Sequence, residues 1–245
     1  CVIWDGFFCA RKICLSGAYI QELERGMSNK VELYDTTLRD GTQQKGISLS
    51  VEDKLSITER LDQLGIDVIE GGYAGANPKD DEYFQRVQSL DLKHAQIAAF
   101  GNTRRANAEV ETDPTLKALL DTQAPVLTLV GKSSEYQVRD VLQTSLEENL
   151  AMIADSVRYL NGEGRRVFFD AEHFFDGFKM NPEYAIQSLR VAMEAGAERL
   201  ILCDTNGGTL PSEVAEIVTR IIDELSDDAV IGIHSHNDTD TAVAS

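Results

Sequence analysis

Long apolar runs and basic residues are scarce in this chain of 245 residues. No stretch reaches the roughly 18 consecutive apolar residues that a membrane-spanning helix needs. The apolar patch in residues 1–26 is interrupted by Asp5, Arg11 and Lys12, and it lacks the basic-then-apolar order of a secretory signal. Lysine and arginine number 23 against 41 aspartates and glutamates, which makes the formal net charge −18. Such a surface repels phosphate polyanions, so we expect no nucleic-acid partner. Without a membrane-spanning run we also expect no membrane partner.

Cysteine is also rare, with four residues in the chain. Cys1, Cys9 and Cys14 lie near the start, and Cys203 lies in an apolar run. Neither Cys-x-x-Cys pairs nor nearby histidines supply the spacing of a zinc site. We therefore expect unpaired thiols in a reducing compartment and a cytoplasmic protein.

Short, nearly continuous apolar runs recur roughly every 30–40 residues from Val31 onward. This composition is typical of parallel strands that are covered on both faces. Amphipathic segments separate them: Ser50 and Asp53 form a capping-box pattern, and Pro182 and Pro211 open two further helices. The predicted strands are 31–37, 67–72, 96–101, 126–131, 166–172, 199–205 and 230–236.

The alternation of strands and helices fits either an open doubly wound sheet or a closed (β/α)₈ barrel. A doubly wound sheet predicts a glycine-rich phosphate turn after the first strand, but residues 39–46 match neither the dinucleotide nor the Walker pattern. Chemistry spread over the carboxyl ends of many strands is instead typical of the barrel. We predict an α/β fold, a TIM-type (β/α)₈ barrel truncated after the seventh strand, with an eighth strand to come after Ser245. The polar residues at predicted strand ends are Arg39, Asp40, Glu70, Glu172, Asp204, Thr205, His234 and His236.

The residues near the start of the chain predict where the domain begins. The chain begins with Cys1, whereas Met27 reads like a natural start directly before the first strand. We expect residues 1–26 to be a lead outside the domain. Residues 27–245 would then form one barrel domain that is incomplete at its C-terminus.

His234 and His236 suggest a metal site at the end of the seventh strand. Alternate residues of a strand face the same side, so both imidazoles would point into the barrel mouth. Asp40 ends the first predicted strand, which lies near the seventh if the barrel closes over one missing strand. Two imidazoles and a carboxylate form a facial set for a divalent cation, with positions open for water and substrate. The alternative is a pair of hydrogen-bonded or solvent-facing histidines.

Three further residues have two interpretations each. Arg39 is either a surface ion-pair partner or a clamp for a carboxylate or oxyanion. Glu172 is either an acid or base or a residue that orients a metal ligand. Thr205 either binds a substrate carboxylate or caps the following helix. His173 would face away from Glu172 and is interpreted as structural.

Two motifs carry a resemblance to a known family. DTTLRDGTQ (35–43) and HSHND (234–238) resemble the two signatures of the acyl-CoA Claisen-condensing enzymes, which include isopropylmalate, homocitrate and citramalate synthases. The resemblance runs from about Met27 to Ser245. GGYAGANPKD (71–80), FFDAEHFFDGFK (168–179) and LILCDTNGGTLP (200–211) are most similar to the citramalate synthase branch.

The resemblance implies an acyltransferase that condenses acetyl-CoA with pyruvate and hydrolyses the thioester to citramalate and CoA, in isoleucine biosynthesis. It implies a divalent metal ion (Mg, Mn or Zn), a homodimer, and catalytic roles for Arg39 and Glu172. Alternatives are an isopropylmalate or homocitrate synthase, a metal-dependent lyase or aldolase on the same barrel, and an inactive barrel fragment. The implied metal ligands are Asp40, His234, His236 and Asn237, and the implied substrate contacts are Arg39, Gln43 and Thr205.

Overall fold

Seven parallel strands form most of a barrel in the computed structural model, which describes residues 2–5, 30–226 and 228–245. Helices alternate with the strands and cover the outside of the sheet. The strands are β2 (Lys30–Asp35), β3 (Val68–Tyr73), β4 (Gln96–Asn102), β5 (Val126–Lys132), β6 (Arg166–Glu172), β7 (Arg199–Asp204) and β8 (Ile231–Ser235). The helices are α1 (Val51–Leu64), α2 (Pro78–Val87), α3 (Pro114–Asp121), α4 (Leu146–Gly162), α5 (Phe174–Met180), α6 (Pro182–Glu194) and α7 (Pro211–Glu224). The predicted fold class is confirmed.

The gap between β2 and β8 is filled by an additional strand, β1 (Val2–Asp5). It pairs antiparallel with both neighbours and closes the sheet. A strand after Ser245 stays a prediction; among the described residues the place between β2 and β8 is occupied by this antiparallel strand. Pairing β1 on both sides satisfies backbone groups of β2 and β8 that an open sheet edge would leave unpaired. Within the predicted lead, the structure describes only Val2–Asp5, and Cys1, Cys9 and Cys14 lie outside the described residues.

The local signals at the helix ends agree with the structure. Ser50 and Asp53 form a reciprocal capping box at the start of α1, and Gly65 ends that helix with a φ of 88°. Pro182 and Pro211 are the first residues of α6 and α7. The first parallel strand, however, ends at Asp35, and Asp40 lies in the turn that leads into a short 3₁₀ helix, Gly41–Gln43. The prediction that Asp40 ends the strand was therefore wrong.

Side chains inside the barrel are apolar in the middle and polar at both ends. Val68, Ala98, Val126, Phe168 and Ile201 belong to one buried cluster inside the barrel. At the amino-terminal ends of the strands, charged pairs close the barrel, including Arg199 with Glu32 and Arg166 with Glu198. Polar residues at the carboxyl ends surround an open mouth, and this is the end at which the candidate site lies.

Two further observations concern the sequence predictions. Cys203 is a free, buried thiol, as expected for that residue. Among the described residues, none of the helices is long and apolar enough to cross a membrane.

Candidate metal centre

Asp40, His234 and His236 converge at the mouth of the barrel. The Nε2 atoms of both imidazoles lie 3.2 Å from Oδ2 of Asp40, and the two ring centroids are 5.2 Å apart. His234 lies in β8 and His236 is the first residue after that strand, two positions further along, which explains why both rings face the same side. Asp40 reaches them from the turn after β2, where the N–H groups of Arg39 and Gly41 donate to the carbonyl oxygen of Thr36.

The carboxylate of Asp40 and the imidazole of His234 each stabilise the charged form of the other. Hydrogen bonds from His234 and then His236 hold the pKa of Asp40 well below its usual range. Burial by itself would lower the pKa of His234, but the carboxylates of Asp170 and Asp40 outweigh it and raise that pKa to about 9. The neighbouring carboxylates therefore favour the protonated imidazole of His234.

The donor set fits a divalent cation. Single donor atoms of Asp40, His234 and His236 lie within 4.8 Å of one another, and nitrogen and carboxylate oxygen are ligands that Mn²⁺, Zn²⁺ and related ions accept. The group borders a cavity of about 850 Å³. A cation held by these residues would therefore have open positions facing that cavity.

Asn237 lines the same cavity, but its amide is engaged within its own loop. Its Oδ1 accepts a bond from the N–H of Ala242 at 3.1 Å, and its Nδ2 donates to Asp240 at 3.3 Å. The structure does not bring Asn237 into the three-residue group. Gln43 likewise is exposed, and the neighbouring Gln44 lines the cavity instead.

Arg39 is held rigidly beside the three-residue group. Its Nε donates to Oε1 of Glu70 at 2.5 Å, and its Nη1 lies 3.4 Å from Oδ1 of Asp40. The guanidinium also stacks on Phe100, with Cζ 3.8 Å from the ring centroid. These three contacts leave little rotational freedom, which is what a clamp for a carboxylate or oxyanion requires.

A buried hydrogen-bond network supports Arg39 from below. Tyr34 donates to Oε2 of Glu70 at 2.6 Å, and the Tyr34 hydroxyl also bonds the hydroxyl of Thr128 at 2.6 Å. Burial raises the pKa of Glu70, although Arg39 opposes the shift. Glu70 was predicted to lie at a strand end, but it lies within β3. Tyr34 and Thr128 were not predicted as site residues. Strand alternation was the signal that could have found them, because every second residue of β2 and β5 faces the barrel interior.

Glu172 ends β6, and Thr205 directly follows β7, the strand that pairs with β8. Glu172 forms a close ion pair with Lys132, which sequence analysis did not identify as a site residue. The Oγ of Thr205 accepts the N–H of His173 at 2.8 Å. His173 has a φ of 54° and its Nδ1 lies 3.6 Å from Asp176, so its ring is engaged by a neighbouring turn.

The barrel fold and the residues at its mouth can now be compared with known sequence families. The HMGL-like family model matches residues 30–245, and the chain belongs to this family. Proteins of this family generally depend on a divalent metal ion.

Curated relatives share this part of the chain. An (R)-citramalate synthase of Aquifex aeolicus is 53% identical over 218 residues, covering 89% of this chain and 41% of that protein. A probable 2-isopropylmalate synthase of Methanopyrus kandleri is 30% identical over 218 residues, with the same coverage of 89% and 41%. The chain thus spans about two fifths of the length of these relatives.

A solved structure shows the same fold. The hydroxymethylglutaryl-CoA lyase of Pseudomonas aeruginosa superposes with a TM-score of 0.72 at 19% sequence identity. The match covers 88% of this chain and 71% of the lyase chain. At this identity the similarity concerns the barrel architecture.

Proposed function

We propose that this chain is the barrel of a citramalate synthase, an acyltransferase that condenses acetyl-CoA with pyruvate and hydrolyses the thioester. The observation that carries the proposal is the convergence of Asp40, His234 and His236 beside the immobilised guanidinium of Arg39. Identity favours this synthase over isopropylmalate synthase, because it is 53% to the first and 30% to the second.

Asp40, His234 and His236 would hold the divalent ion, which is Mg²⁺, Mn²⁺ or Zn²⁺ in this proposal, and Asn237 would lie close by. When bound, the ion supplies Lewis-acid polarisation of the 2-oxo acid. Arg39 donates hydrogen bonds to the same substrate. Since Glu70 and Phe100 already fix its orientation, Arg39 stabilises the developing alkoxide without a reorganisation cost at the time of reaction.

Glu172 would act near the reacting carbons as an acid or base. Its carboxylate forms a close ion pair with the ammonium of Lys132, which fixes its position at the mouth. The alternative, in which Glu172 orients another residue, predicts a smaller rate loss when it is replaced.

Thr205 would bind the carboxylate of the oxo acid. Its oxygen already accepts the N–H of His173, so its own hydroxyl hydrogen is directed elsewhere and is available to donate. Gln43 remains a proposed substrate contact from the family resemblance alone.

A base removes a methyl proton from acetyl-CoA, and the resulting enolate carbon forms a bond to the ketone carbon of pyruvate. The ketone oxygen takes up a proton and becomes the tertiary hydroxyl group. Water then cleaves the thioester, which releases citramalate and the free thiol of CoA.

From the resemblance we also propose a place in isoleucine biosynthesis, a cytoplasmic location and a homodimer.

The test of the metal centre is a calorimetric titration of Mn²⁺ into the wild-type chain and the Asp40→Ala variant. We expect one equivalent to bind the wild type and the affinity to fall at least about 100-fold in the variant, because a charged ligand is lost. Asp238→Ala is the matched control, since it removes a carboxylate that lines the same cavity and is not a predicted ligand. Equal binding by wild type and Asp40→Ala would remove the metal site from the proposal.

Substrate choice is tested in the protein that carries this barrel. Acetyl-CoA, Mn²⁺ and each of several 2-oxo acids are incubated with the enzyme, and a thiol reagent reports free CoA. We expect release that depends on pyruvate. Release with other 2-oxo acids but not with pyruvate would contradict the citramalate assignment.

A further inference from the structure

The imidazole of His234 has a carboxylate on each of its two sides. Its Nε2 lies 3.2 Å from Asp40, on the side of the metal group. Its Nδ1 lies 3.9 Å from Oδ2 of Asp170, on the side of the barrel interior. The second contact is in the range of an ion pair and is longer than a direct hydrogen bond. The two nitrogens of His234 are therefore in different electrostatic surroundings.

Asp170 is a buried carboxylate whose charge requires compensation. It lies on β6 two residues before Glu172, so it faces the barrel interior one level deeper, and its exposed fraction is 4%. Among the residues that the structure describes, His234 is the one basic side chain within 4.0 Å of Asp170. A buried charge without such a neighbour is costly. Asp170 and His234 therefore depend on each other.

We propose that Asp170 is a positioning residue that holds His234 in the form with hydrogen on Nδ1. A carboxylate attracts an N–H and repels a nitrogen lone pair, so Asp170 disfavours the tautomer with a bare Nδ1. Asp40 attracts a hydrogen on Nε2 in the same way. When a cation takes the place of that hydrogen, the lone pair of Nε2 would be directed at the cation while Asp170 keeps the hydrogen on Nδ1. This inference rests on the proposed metal function.

Cys203 provides a matched control for the effect of packing. It pairs with His234 on the neighbouring strand and is 6% exposed. Its Sγ also lies within 4.8 Å of donor atoms of Asp170 and His234. A change at Cys203 thus disturbs the same buried space without removing the carboxylate.

The experiment measures Mn²⁺ affinity by calorimetry in the wild type and in the Asp170→Ala, Asp170→Asn and Cys203→Ala variants. We expect Asp170→Ala to weaken binding by about 10- to 100-fold, the usual effect of losing a residue that orients a metal-ligating histidine. Asp170→Asn has almost the same shape, but its amide can donate to Nδ1 and favour the wrong tautomer. We therefore expect at least about a 10-fold loss there as well, whereas a packing role would leave Asn near the wild type. Cys203→Ala should bind within about twofold of the wild type.

A spectroscopic readout accompanies the titration. In the Zn²⁺-loaded wild type, long-range ¹H–¹⁵N spectra of His234 should show a protonated Nδ1 and a metal-bound Nε2. Asp170→Asn should shift or lose the Nδ1–H signal while circular dichroism shows an intact fold.

Three results would overturn the inference. The first is binding by both Asp170 variants within twofold of the wild type, and the second is an equal loss in Cys203→Ala, which would indicate packing. The third is a wild type that binds no Mn²⁺ or Zn²⁺. In that case the metal proposal fails together with the inference, whereas the first two results leave the metal proposal standing.

Discussion

The substitution Glu70→Ala tests whether buried charge pairing supports the mouth of the barrel. Glu70 is completely buried, and its two oxygens bind Arg39 at 2.5 Å and Tyr34 at 2.6 Å. Alanine removes both acceptors and leaves the guanidinium of Arg39, which is 9% exposed, without its closest counter-charge. Asp40 remains at 3.4 Å from Nη1, and it compensates part of the charge.

The size of the expected effect follows from this geometry. Removing one partner of a buried ion pair typically costs about 3–5 kcal/mol of unfolding free energy, because the other charge stays desolvated. For a domain of this size each kcal/mol lowers the melting temperature by roughly 2–4 °C. We therefore expect Glu70→Ala to melt roughly 6–20 °C below the wild type. Glu70→Gln should lose less, since its amide oxygen still accepts from Arg39 and Tyr34 can donate to Thr128 instead.

Thermal unfolding followed by circular dichroism measures this difference. The matched control is Glu52→Ala, which breaks a pair of similar length, 2.6 Å to Arg86, in which both side chains are exposed. Solvent screening makes such a pair weak, so we expect little change in melting temperature. A Glu70→Ala variant that melts together with Glu52→Ala would refute the reasoning that burial gives the Arg39 pair its energy.

Two predictions concern stability outside the site. A Cβ at Gly177 would lie 2.5 Å from the carbonyl oxygen of Ser133, so Gly177→Ala should destabilise by about 1–3 kcal/mol in urea unfolding. Gly162, in α4, has open space around it, so the control Gly162→Ala should stabilise by about 0.4–1 kcal/mol; equal effects would contradict the close approach at Gly177. Burial would raise the pKa of Asp113, but three backbone N–H bonds outweigh it and lower that pKa. The contribution of Asp113 is therefore present above its unfolded pKa of about 4 and is lost as pH falls through the lower folded value. Asp113→Ala should cost about 0.5–2 kcal/mol at pH 7 and progressively less below pH 4, and a cost independent of pH would argue against this titration.

Much of the fold was predictable because its signals are local. Continuous apolar runs indicated each parallel strand, and the capping pair Ser50–Asp53 and the glycine at position 65 marked the ends of α1. These features depend on residues within a few positions of one another. The convergence of Asp40, His234 and His236 was also predictable, because strand alternation aligns His234 with His236 and the barrel brings their strand near Asp40.

The amino-acid sequence by itself thus determined the order of strands and helices and the residues available at the mouth. Tertiary structure decided which of those residues meet. Glu70 bonds Arg39, which is 31 residues away in the sequence, and Tyr34 bonds Thr128, which is 94 residues away. Local patterns carry no information on such distant partners, since the pairing of buried charges depends on which strands become neighbours when the barrel closes. For the same reason only the structure revealed Asp170 behind His234, and β1 between β2 and β8.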